Sequence, residues 1–94
     1  MYMTIWIDRG VIRNMLIEPL GSGQITNVEL GDDTSRVEIE VFEPVELDTQ
    51  TLNNLDSFIG SIGSVDPDLT VTPKRNKMLV VLEADSAVFD WKDN

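Results

Sequence analysis

The clearest pattern in the chain is the strict alternation from Arg36 to Phe42. Val37, Ile39 and Val41 fall on one side, and Glu38 and Glu40 on the other. A period of two with one apolar and one charged side predicts a strand with a buried and a solvated face. Ile25–Leu30, just upstream, predicts a second strand, and Gly31-Asp32-Asp33-Thr34-Ser35 is dense in turn formers. The two runs read as a hairpin closed by Pro44.

Residues 2–8, rich in aromatic and β-branched types, predict a strand. Asp8-Arg9-Gly10 reads as a turn, and Val11–Glu18 as a strand ending at Pro19. Gly21-Ser22-Gly23 reads as a flexible connection.

The period changes after Pro44. Leu52, Leu55, Ile59 and Ile62, with Phe58 beside them, recur at helical spacing. Asp48 is placed to cap this helix and Gly63 to end it, while the interior Gly60 weakens it. Ser64–Asp68 reads as a linker. Leu69–Thr72 and Met78–Glu83 predict two further strands around a basic loop, Pro73–Lys77. Met78–Leu82 is apolar on both faces, which predicts a central strand.

Ala84–Asn94 mixes acids with Val88, Phe89 and Trp91. It offers a short helical turn capped by Asp85 or Ser86, a last strand, or a flexible tail. The expected order is β-β-β-β-α-β-β: one α+β domain over residues 1–94, with two layers. A mainly antiparallel sheet of about six strands would carry one helix on one face.

Composition then changes the picture. Seventeen Asp and Glu against seven Lys and Arg give a net charge of −10 on 94 residues, with no His and no Cys. Imidazole bases, thiolate nucleophiles and soft metal ligands are therefore missing, and no enzyme activity or cofactor is expected. Asp32-Asp33 and Asp66-Pro67-Asp68 supply oxygen ligands but lack the spacing of a calcium loop, so no metal site is expected. No run approaches the roughly 20 apolar residues of a membrane span. The N-terminus has no basic leader, so a cytoplasmic protein is expected. The charge disfavours direct contact with nucleic acid or anionic lipid.

Four candidate sites follow. In the predicted hairpin Glu29, Glu38 and Glu40 share the outer face. Glu43 and Glu46 lie beyond its end, and Asp32 and Asp33 in its turn. Such a row would meet a basic protein surface. Its sharpest form is an inhibitor that imitates the charge of nucleic acid and blocks a nucleic-acid-binding protein, by analogy with small acidic proteins of viruses and mobile elements. Lys74, Arg75 and Lys77 form the second cluster, a solubilising tip or a weak anion site. Trp6 is expected in the core, with an interface role as the alternative. Phe89 and Trp91 either dock on the chain's own sheet or on a partner. The rival reading is a structural domain or homodimer whose acidity serves solubility, in one version at high salt.

Overall fold

Two β-hairpins meet along their inner strands in the computed structural model, which describes residues 6–44, 46–62 and 67–91. The first hairpin is β1 (Ser22–Leu30) and β2 (Thr34–Phe42); the second is β3 (Asp68–Pro73) and β4 (Lys77–Asp85). The sheet order is β1-β2-β4-β3 with every pairing antiparallel. The helix α2 (Thr49–Ser61) links the hairpins. The fold is α+β in two layers, with four strands among the described residues in place of the six expected.

The alternation along β2 is realised as read. Ser35, Val37, Ile39 and Val41 are buried, and the residues between them are not. On β4 the buried set is Met78, Val80, Leu82 and Ala84. The register sets Val37 opposite Leu82, Ile39 opposite Val80 and Val41 opposite Met78. β4 is central, as its doubly apolar run predicts. β1 contains a bulge between Ile25 and Asn27, and its extra residue, Thr26, bonds through its hydroxyl to the Glu38 carbonyl at 3.1 Å. The bulge lets Ile25 and Val28, an odd spacing apart, both pair with core-facing partners, Ile39 and Val37. Leu30, predicted to face the core, is opposite Ser35 but stays half exposed at the strand's end.

The N-terminal reading is corrected. Val11–Glu18 is not a strand. A helix, α1 (Arg9–Ile12), runs on into a π-helical turn (Arg13–Ile17). The Asp8-Arg9-Gly10 turn signal is a helix start: the Asp8 carboxylate accepts the Val11 N–H at 2.8 Å. Ile12, Leu16 and Leu20, four residues apart, are all fully buried, together with Ile17. That is a helical stripe. No hairpin with residues 2–8 forms at the described positions. Residues 2–5 lie outside the described part, and Ile7 makes a single parallel bridge to Phe89. Its N–H donates to the Val88 carbonyl and its carbonyl accepts from Asp90 N–H, both at 2.8 Å. Ile7 is buried and its neighbour Trp6 is exposed, which corrects the core placement of Trp6.

α2 follows its sequence reading. Asp48 caps it through the Thr51 N–H at 2.8 Å, and Leu55, Phe58 and Ile62 are buried. Leu52, in the first turn, is exposed; Gly63 lies outside the described residues. Both helices and the inner sheet face share one apolar cluster, so both cover the same side of the sheet.

Small residues and a polar latch fix the hairpin ends. A Cβ on Gly23 would stand 2.6 Å from the Glu40 carbonyl oxygen, and Gly21, at φ +142°, faces the Glu43 carbonyl. The Gly21–Gly23 segment is thus a tight crossing of the chain and not a loose connection; Ser22 and Gly23 belong to β1. At the other end buried Ser35 shares a 2.7 Å hydroxyl bond with Ser86, which also donates to the Gly31 carbonyl at 2.7 Å. Ser86 begins a 3-10 turn (Ser86–Val88) capped by Asp85, the helical turn anticipated for the tail.

Gly60 has open space where a Cβ would go, so Gly60→Ala should raise unfolding stability by about 0.5–1 kcal/mol. Gly23→Ala should lower it by about 1–3 kcal/mol. Denaturant midpoints at fixed slope distinguish the two signs. The Thr51 N–H holds the Asp48 carboxyl below its ordinary value. Its contribution is therefore complete above the unfolded-state value and lost as the pH falls through the folded one. The melting-temperature gap between the native chain and Asp48→Ala should close on acidification, while the gap between Asp48→Asn and Asp48→Ala should persist.

Candidate protein-binding face

With both helices on one side, no described element covers the other side of the sheet. Register and burial place its residues in rows across the four strands. One row runs Glu29, Arg36, Glu83, Asp68. The next runs Asn27, Glu38, Val81, Thr70, and the third Gln24, Glu40, Leu79, Thr72. Phe42 and Lys77 close the end. Five carboxylates on this face meet two cations, and Leu79 and Val81 form a half-buried apolar strip between them.

The structure brings together Glu29, Glu38 and Glu40, as the hairpin reading requires. It leaves the other predicted members outside the rows. Asp32 and Asp33 are exposed in the β1–β2 turn, and the Asp33 carbonyl accepts the Ser86 N–H. Glu43 sits in the bend after β2 at φ 49°, and Glu46 is exposed in the segment leading to α2. The face gains two acids that sequence reasoning missed, Glu83 and Asp68. They stand directly opposite each other on neighbouring strands, a like-charge pairing that costs the sheet stability. Glu83 was visible at the end of a predicted strand, but its neighbour across the sheet depends on β2 pairing with β4.

The acids are not left wholly unbalanced. Glu38 receives an Arg36 Nη2 bond at 3.4 Å and an Asn27 amide bond at 2.8 Å; Glu40 receives Lys77 Nζ at 3.3 Å. Lys77 therefore belongs to this face, while Lys74 and Arg75 sit exposed at the tip of the β3–β4 turn. Glu29, Glu83 and Asp68 have no ion pair among the described residues. Arg36 is committed to Glu38, and its Nε is enclosed with no hydrogen-bond partner among them. Next to it a shallow hollow of about 300 Å³ is lined by Arg36, Asp68, Thr70, Thr72, Val81 and Glu83.

The aromatic candidates separate. Phe89 and Trp91 pack against the core cluster, and Arg9 stacks over the Trp91 ring at 4.9 Å from its centroid. Of these three candidates Trp6, 56 % exposed, is the one that faces solvent. Among the described residues no three acids gather as a metal site would require, and Asp66 lies outside them. No described helix is long and apolar enough to cross a membrane.

The ion pairs on the face are half-exposed and should be weak. A double-mutant cycle on Lys77 and Glu40 should give a coupling below about 1 kcal/mol that falls further as salt is raised. No family model matches the chain, and no curated protein or solved structure matches it.

Proposed function

We propose that this chain is a non-enzymatic binding module whose open sheet face engages a basic surface on another protein. The supporting observation is the make-up of that face. Five carboxylates border the apolar strip of Leu79 and Val81 on the β1–β2 side and at its Glu83–Asp68 end. Thr70 and Thr72 border it on the β3 side, and Arg36 and Lys77 are the cations of the face. An apolar centre with a charged rim is the arrangement of a protein interface. Acids in excess around it select a cationic partner, speed its approach and fix its orientation. The weak internal pairs of Glu38 and Glu40 are easily exchanged for pairs with arginines or lysines of the partner.

The partner class most compatible with this charge is a nucleic-acid-binding protein, since its own groove is built to receive rows of negative charge. In that form the module occupies the groove and excludes nucleic acid. An arginine-rich peptide is a direct probe. Its titration should shift amide resonances of β2, β3 and β4 on the open face and leave those of α2 unchanged. Glu38→Lys combined with Glu40→Lys should weaken binding by about tenfold or more, and native binding should fall steeply with salt. Equal affinity in the reversed variant removes the face as the site.

A second reading is favoured by one observation, the exposure of Trp6. Large aromatics at the surface anchor interfaces, and this one would join copies of the chain. Sedimentation of the native chain and of Trp6→Ser separates the readings. A dimer that Trp6→Ser dissociates supports the homo-oligomer; a monomer in both removes it.

A further inference from the structure

At the β1 edge, beside the helical layer, the chain carries a small cationic site. We infer that the hollow between α1 and the edge strand β1 binds a phosphate-type oxyanion through Arg9 and Arg13. The hollow measures about 220 Å³ and is lined by Arg9, Gly10, Arg13, Ile17, Gln24 and Ile25.

Three observations support the assignment. First, the two arginines stand one helical turn apart and border the same hollow, the Arg13 N–H donating to the Arg9 and Gly10 carbonyls. Like charges at this spacing repel. A bound anion turns that cost into a bidentate attraction, for which the guanidinium fork is shaped. Second, neither arginine has an ion pair with a carboxylate among the described residues, in a chain with seventeen acids. Arg36 and Lys77, by contrast, are both paired. Third, Arg9 is held in place by stacking on Trp91, so one arm of the site is preorganised. Buried Ile17 and half-buried Ile25 give the hollow an apolar wall, and Gln24 on β1 adds an amide to its rim.

The tip of the β3–β4 turn provides the internal control. Lys74 and Arg75 are also cationic and exposed, but they do not line this hollow. If charge alone recruited anions, the tip would serve as well.

The experiment is a titration with inorganic phosphate followed by amide and arginine Nε resonances. Saturable shifts are expected at Arg9, Gly10, Arg13 and Gln24, with a dissociation constant of about 1–10 mM. Arg13→Gln should weaken binding by about tenfold, the loss of one charge-assisted contact, and Arg9→Gln likewise. Arg75→Gln should leave it unchanged. Glycerol 3-phosphate distinguishes the source: tighter binding than inorganic phosphate assigns the site to an organic monoester, weaker binding to the free ion. The inference is overturned by absence of shifts up to about 20 mM phosphate. It is also overturned by an Arg75→Gln effect equal to that of Arg13→Gln, or by acetate binding as well as phosphate. Both arginines are exposed, and the amide spectrum of each variant verifies that it is folded.

Discussion

The apolar pairing of β2 with β4 is the contact on which the other elements rest. Val37 with Leu82, Ile39 with Val80 and Val41 with Met78 make a ridge of opposed β-branched and long side chains along two strands from different hairpins. Each helix buries its stripe against the cluster that contains this ridge. Each outer strand hangs from one of the two inner ones. The pairing is also distant in sequence, because α2 lies between the strands it joins. The entropy of closing that loop is recovered only when the ridge forms, which makes the sheet and the helical layer one cooperative event.

With both helices on one side of the sheet, the second side carries no other element among the described residues. The chain deals with that side through charge. Acids alternate with the core residues of β2, threonines with those of β3, and the apolar Leu79 and Val81 are flanked by Glu38 and Glu40 on one strand and by Thr70 and Thr72 on the other. This keeps the face wet in the free protein and leaves an apolar centre for a partner to cover. At the β1 edge two arginines likewise have no carboxylate partner among the described residues. The proposed sites thus differ in sign and meet only at Gln24 on the β1 edge, and neither requires the other.

Much of this was legible in the residues, and the failures have physical reasons. The alternation of Arg36–Phe42 fixed which side of β2 is buried, and the Asp48 cap with the Leu55, Phe58, Ile62 stripe located α2. Val11–Glu18 misled because five apolar residues in eight satisfy a loose strand pattern, and Asp8 before Arg9-Gly10 is both a turn signal and a helix cap. The four-residue spacing of Ile12, Leu16 and Leu20 was the deciding clue, and it continues past Pro19 where a strand reading stops. The site was half legible. Hairpin register follows from local turn chemistry, so Glu29, Glu38 and Glu40 could be grouped. Glu83 and Asp68 join them through β2–β4 and β3–β4 pairing, and the first of these is long-range and carries no local signature.

The Ile7–Phe89 bridge has a consequence for synthesis. On the ribosome the helix that follows Ile7 emerges well before Val88 and Asp90, the residues that clasp Ile7. The stripe of Ile12, Leu16 and Leu20 has no sheet to lie on until β4 has left the exit tunnel. The nascent chain therefore exposes an apolar helical stripe until the second hairpin has emerged, and that interval is the one most open to aggregation.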